Sequence, residues 1–276
     1  MPQALILSSY VAASRIGGSA QVLALAALGV DPVLVPTVLF GASPARGGRG
    51  RAVDAALFAD LLAGAESQGV LFGCDLILTG HFSAPDQVVM AAGAIAQARV
   101  NGASPLVVVD PVLGDDPRGL YVTPEVAEAV AKLLVPLADW ITPNAWELRH
   151  LTGDAVIDAP GAVEAARKLG VAALVTSVPA GPGEIALVCC EADGASLFTH
   201  AQAAQAPNGT GDLVTAVFAA GLLAGLTPAA AAERAARAVV QAVDAATRAG
   251  LADLPRVDPG PPPAHPTASV RVTVLD

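Results

Sequence analysis

The chain has 276 residues, 54% of them hydrophobic, enough apolar material for one large core or at most two. A formal charge of −10, from 25 acidic against 15 basic residues with no basic run, repels nucleic acid and anionic membrane surfaces and excludes both as general partners. The three cysteines, Cys74, Cys189 and Cys190, are odd in number and lack metal spacing, so reduced thiols in a cytoplasmic protein are expected.

In chain order, short apolar runs rich in β-branched residues alternate with alanine-rich helical stretches. The first strand pattern, ALILSS (4–9), follows Met-Pro-Gln with no basic region or cleavage grammar before it. A helix is expected over 18–28, then strands PVLVPTV (32–38) and DLILTG (75–80), with the Gly- and Arg-rich tract 45–51 between them reading as an exposed, flexible loop of local positive charge. Next come a helix over 84–100, strand PLVVVD (105–110), a helix over 123–137, strand DWIT (139–142), a helix over 159–169 and strand AALVTS (172–177). EIALVCC (184–190) and SLFTH (196–200), joined by a short polar turn, read as a hairpin. The uncharged stretch 213–232 has the length of a membrane span, but Gly221, Gly225 and Pro228 break it into two helices, the second running over 228–248. A Pro-rich segment, 255–266, precedes ASVRVTVLD (268–276), an alternating strand pattern expected at a sheet edge.

This alternation predicts an α/β fold in which a mostly parallel sheet is covered by helices on both faces, as one domain spanning 1–276. Ligands of such sheets bind outside the carboxyl ends of the strands. Five predicted strands end there in polar residues: Ser8-Ser9, Thr79-Gly80-His81, Asp110-Pro111, Thr142-Pro143-Asn144 and Thr176-Ser177. Five in succession point to one crevice.

A sixth feature supplies the chemistry. In Asn208-Gly209-Thr210-Gly211-Asp212 the glycines permit tight turns, and the helix that follows presents unpaired N–H groups and a positive dipole end, an anion site. Asp212, in the first turn, either caps that helix or takes a proton from a hydroxyl; a base beside an anion cradle suits phosphoryl transfer to an alcohol. The sequence has no G-x-x-x-x-G-K-[ST], no His-x-x-x-His or Cys-x-x-Cys, and no Gly-x-Ser-x-Gly, which removes P-loop, zinc and hydrolase-elbow chemistry.

At these residues the chain resembles the ribokinase superfamily and, within it, the pyridoxal kinases. The resemblance is carried in the family's order by Ser9 and GGSA (17–20), TVLF (37–40), TGHFSAPDQ (79–87), DPVLG (110–114), TPNAWEL (142–148), TS (176–177) and GTGDL (209–213), and covers residues 4–250. It implies a three-layer α/β/α ribokinase-like fold and ATP-dependent phosphorylation of the hydroxymethyl group of pyridoxal, with the hydroxymethylpyrimidine kinases as the nearest alternative and a vitamer-binding protein of little activity as another. The Cys that the pyrimidine kinases often carry after Gly-Thr-Gly is here Asp212. By the resemblance Asp212 is the base and a substrate contact; Gly209, Thr210 and Gly211 form the anion hole; Thr142, Asn144, Thr176 and Ser177 contact ATP. Asp110 and Glu147 organise the ATP phosphates and Mg²⁺, partly through water, and many members also use a monovalent cation. Ser9, Thr37, Phe40, Ser43 and His81 face the vitamer. Two positions depart from the family pattern: Gly41-Ala42-Ser43-Pro44 replaces Ser-Asn-His-Thr, and His81 stands where a tyrosine is common. A homodimer is the family's expected assembly.

Overall fold

The protein, described here from a computed structural model over residues 1–255 and 269–275, is an α/β structure. It begins with β1 (Gln3–Val11), α1 (Gly18–Ala27), β2 (Asp31–Phe40), a 3₁₀ turn (Pro44–Arg46), β3 (Gly50–Ala52), α2 (Ala55–Ser67), α3 (Val70–Gly73) and β4 (Leu76–Thr79). Then follow α4 (Pro85–Val100), β5 (Leu106–Val109), the ribbon of β6 (Gly114–Asp115) and β7 (Gly119–Leu120), α5 (Pro124–Ala129), β8 (Trp140–Ile141), α6 (Ala145–Thr152) and α7 (Ala159–Lys168). The chain finishes with β9 (Ala172–Gly181), β10 (Glu184–Cys190), β11 (Ala195–Ala201), α8 (Thr210–Leu223), α9 (Pro228–Ala249) and β12 (Arg271–Leu275).

Ten strands form one sheet in the order β12-β11-β10-β9-β8-β5-β4-β1-β2-β3. The middle six, β9 to β2, are parallel, and antiparallel strands extend both edges. The chain moves from β1 outward to β2 on one side and returns to β4 and β5 on the other, so the switch point that opens a ligand crevice lies at the carboxyl ends of β1 and β4. Side-chain alternation sorts β1 between two cores: Leu5 and Leu7 pack with α2, α4, α6 and α7, whereas Ala4 and Ile6 pack with α1, α8 and α9.

Local chemistry accounts for the boundaries. The uncharged stretch after Asp212 does divide: α8 stops at Leu223, Gly225 adopts φ 80°, and Thr227 caps α9 with Pro228 in its first turn. Among the described residues no helix is long and apolar enough to cross a membrane. The expected helix over 123–137 is α5 continued by a π turn (Val130–Leu134) and a 3₁₀ turn (Val135–Leu137), because Pro136 has no N–H to donate back.

Several expectations are corrected. The tract 45–51 is not wholly loop: Pro44–Arg46 turns and β3 pairs antiparallel with β2, seated where Gly50 lets the Phe40 ring approach. The strand expected to end at Ser177 runs on to Gly181 through a bulge, with Thr176 and Ser177 both opposite Leu187 and Ser177 at φ 57°. The Pro-rich segment lies outside the described residues apart from Pro255, while β12 pairs with β11 at the sheet edge as expected.

Candidate active site

Asp212 sits in the first turn of α8, half-buried, behind Gly209 at φ 92°. The first intrahelical bond is Leu213 N–H to Gly209 O, which leaves the amides of Thr210, Gly211 and Asp212 without intrahelical acceptors and facing the crevice end of the helix. Glycine is required at 209: a Cβ there would lie 2.4 Å from the Arg15 carbonyl oxygen. One carboxylate oxygen of Asp212 accepts a hydrogen bond from Gly17 N at 2.8 Å, although 195 residues separate the two. Burial lifts the Asp212 pKa to about 6, and the amides of Gly17 and Asp212 itself hold it from rising further. Gly17 is a second position closed to side chains, since a Cβ would meet Ser9 Oγ at 2.0 Å.

Asp110, at the end of β5, is 6% exposed. Thr215 Oγ1 donates to Asp110 Oδ2 at 3.1 Å and lies 2.7 Å from Thr142 Oγ1. A hydroxyl has one proton; with Thr215's given to Asp110, Thr142 must be the donor of the second bond, leaving its own oxygen as an acceptor. Burial raises the Asp110 pKa well above the usual carboxylate range, and the charges of Glu147 and Asp212 push the same way.

Glu147 is a buried strut. Its Oε2 accepts from Asn144 N at 2.8 Å while Asn144 Oδ1 accepts from Glu147 N at 2.9 Å, a capping box that starts α6. Its Oε1 accepts from Leu113 N at 2.7 Å and Gly114 N at 3.4 Å, and Asn144 Nδ2 donates to Gly114 O at 2.8 Å. Burial raises its pKa and these amides work against the rise. Between the two carboxylates, Val112 takes φ 45°, a costly value for a β-branched residue, of the kind that collects at functional sites.

Thr37, wholly buried, uses its polar groups internally. Its hydroxyl donates to His81 O at 2.5 Å, and its carbonyl accepts from Gln87 Nε2 at 2.7 Å and Val53 N at 3.0 Å. Thr37 therefore fastens the end of β2 to the 81–87 turn. His81 stands at that turn with its pKa pushed down to about 4 by burial, partly offset by the Val112 backbone, so its ring is neutral at physiological pH. Ser9, 5% exposed, faces Gly17, and Phe40 packs on Gly50. Ser43, 1% exposed, opens the 3₁₀ turn. Asn144 and Thr176 form a bridge through Thr176 N to Pro143 O at 2.9 Å, while Ser177 is exposed on the bulge.

Sequence reasoning missed Gly17 and Thr215 as members of this constellation. Thr215 was signalled by its place three residues after Asp212, on the same face of an otherwise apolar helix. Gly17 belonged to the GGSA (17–20) motif, but nothing in the sequence linked it to Asp212. The three cysteines are buried and free.

Residues 17–256 match the family model described as phosphomethylpyrimidine kinase. The chain is 38% identical over 263 residues to the pyridoxine/pyridoxal/pyridoxamine kinase of Bordetella avium, covering 92% of this chain and 89% of that one. It is 36% identical to the pyridoxal kinase PdxY of Rubrobacter xylanophilus, covering 80% and 79%. The Leishmania donovani pyridoxal kinase in complex with ADP and pyridoxine superposes with a TM-score of 0.87 at 25% identity over 99% of each chain. With the sheet order, the Gly-Thr-Gly-Asp turn and these likenesses together, the chain belongs to the pyridoxal kinases of the ribokinase-like superfamily.

Proposed function

We propose that the protein transfers the γ-phosphoryl group of ATP to the hydroxymethyl oxygen of pyridoxal, giving pyridoxal 5'-phosphate and ADP, and that pyridoxine and pyridoxamine are accepted at the same site. The observation that carries this reading is the Asp212 carboxylate, its pKa raised to about 6, placed one residue after an anion-binding turn. At neutral pH it is ionised and takes the hydroxymethyl proton as that oxygen bonds to phosphorus and the bond to the ADP oxygen breaks. The Gly209-Thr210-Gly211 turn, with the open amides of Thr210 and Gly211, receives the charge on the transferring group. His81, neutral, presents an uncharged ring to the vitamer; Ser9, Phe40 and Ser43 complete that side, and Thr37 positions His81. Thr142, Asn144, Thr176 and Ser177 line the nucleotide side. Pyridoxal kinases among the relatives, and an ADP and pyridoxine complex of a structural neighbour, support the assignment.

Asp110 fits a hard divalent cation, being a buried carboxylate held at an unfavourable charge by Glu147 and Asp212. Glu147 already accepts from three amides and acts through its field or through water. Bound with ATP, Mg²⁺ would shield the phosphate oxygens. We further propose one kinase unit over residues 1–276, in the cytoplasm, assembled as a homodimer. The half-exposed Tyr10, Leu23 and Leu39, which line a groove of about 860 Å³ beside α1 and β2, support that assembly.

The test is a coupled assay of ADP release with pyridoxal, pyridoxine, pyridoxamine and hydroxymethylpyrimidine in parallel, with and without K⁺. Turnover of the B6 vitamers above the pyrimidine is expected. Preference for hydroxymethylpyrimidine would move the protein to the pyrimidine kinases, and absence of turnover with all four would leave a vitamer-binding role.

A further inference from the structure

Ser14 and Asp253, 239 residues apart, are joined by a side-chain hydrogen bond: Ser14 Oγ donates to Asp253 Oδ2 at 2.7 Å. The other oxygen, Oδ1, accepts from Asn208 Nδ2 at 3.1 Å, and Asn208 is the residue immediately before the Gly-Thr-Gly turn. Backbone bonds run alongside, from Asn208 N to Ala252 O at 2.9 Å and from Leu254 N to Asn208 O at 3.3 Å. Arg15 Nη1 donates to Leu254 O at 3.4 Å, and the Arg15 carbonyl is the group that Gly209 is shaped to admit. The loop over 12–17, the turn over 208–212 and the segment 251–254 thus meet at one carboxylate, whose side chain is 14% exposed. Arg46 Nη2, 3.9 Å from Oδ2 and itself 56% exposed, adds a screened attraction only.

The carboxylate receives both partners as they stand, the Ser14 hydroxyl on Oδ2 and the Asn208 amide N–H on Oδ1. The same loop carries Gly17, whose N–H is bonded to Asp212.

We infer that Asp253 is a positioning residue of the phosphoryl-transfer site, which it serves by clamping the 12–17 loop onto the Gly-Thr-Gly turn through Ser14 and Asn208. The inference rests on the kinase reading above and adds to it a residue that touches neither substrate. Losing the clamp lets Gly17 drift from Asp212 and the anion turn loosen, while the Thr37 and His81 side of the crevice, built on other elements, stays in place.

Asp253→Ala, Asp253→Asn, Ser14→Ala and the Ser14→Ala/Asp253→Ala pair test this in the full chain, alongside the wild type. Turnover is expected to fall about tenfold in Asp253→Ala and less in Asp253→Asn, which keeps one acceptor. KM for pyridoxal should stay within about twofold, and the double variant should be no slower than Asp253→Ala, as two ends of one bond require. A nonhydrolysable ATP analogue, titrated by calorimetry, should bind about fivefold more weakly to Asp253→Ala. That measurement needs no acceptor, so it still reads the clamp if the wild type fails to phosphorylate pyridoxal and only the kinase reading falls. Should Asp253→Ala not fold, Asp253→Asn and Ser14→Ala carry the same comparison. Normal turnover in folded variants whose melting temperature has dropped, equal rises in both KM values, or additive losses in the pair would each overturn it.

Discussion

The two sides of the crevice are built differently. Around Asp212 the acting groups are backbone amides and carboxylates joined across long sequence distances, Gly17 to Asp212 and Thr142 through Thr215 to Asp110. Around His81 the polar groups are absorbed into the fold: Thr37 receives Gln87 and Val53 and donates to His81 O, so little of its hydrogen-bonding capacity faces a ligand. On the proposed reading, the difference teaches that the transfer side would be set by electrostatics and the ring side by shape. Substitutions on the first should change rate, and on the second affinity.

The largest effect should come from Asp212→Asn, which keeps the size of the side chain and can still accept from Gly17 N. Stability should change by about 1 kcal/mol or less. Turnover should fall by about 10²- to 10⁴-fold with ATP affinity nearly unchanged. A folded variant turning over normally would make Asp212 a cap and erase the contrast between the two sides. Thr215→Val comes next. It removes the donor to Asp110, a bond to a charged group worth about 1.5–3 kcal/mol, so turnover should drop roughly 10- to 100-fold and half-saturation by Mg²⁺ should move upward. An unchanged Mg²⁺ requirement would separate Asp110 from the ion.

The pH profile sharpens the comparison without mutation. Asp212 must be ionised to take a proton, and its pKa is raised to about 6, so kcat/KM should fall as pH drops through that value, in company with the buried carboxyls of Asp110 and Glu147, whose pKa values are raised as well. Asp212→Asn should remove the part of the limb near pH 6 and leave theirs. His81 stays neutral over the same range, because its pKa is near 4, and should add no second limb above pH 5. The smallest effect is expected from His81→Ala: a rise of about fivefold in KM for pyridoxal, with KM for ATP and turnover nearly constant. Equal changes for both substrates would take His81 off the ring side.

Much of this was legible in the sequence, for definite reasons. The parallel strands were readable as β-branched runs, and Gly209-Thr210-Gly211-Asp212 marked the turn that opens α8 within four residues. Helix α2 went unread because Gly64 interrupts its apolar period, although Asp54 caps it by accepting from Leu57 N at 2.9 Å. Strand β3 went unread because Gly50-Arg51-Ala52 has no strand composition and exists by pairing with Val38, Leu39 and Phe40. Ser177 read as a strand end because local pattern cannot show the bulge that lets β9 continue beside β10. The links of Gly17 to Asp212 and of Asp253 to Ser14 were silent for a third reason: each joins partners about two hundred residues apart, and a spacing of that length leaves no periodic mark.

The contact between Gly17 and Ser9 Oγ has an evolutionary consequence. The acidity of Asp212 depends in part on the Gly17 amide, whose position is set by how closely two stretches of chain approach at a residue with no side chain. On the role proposed for Asp212, a change at position 9 that shifts Gly17 would retune the acidity at which such a protein works, leaving Asp212 and its turn untouched. Drift in working pH among such proteins would be written in their packing before it was written in their catalytic residues.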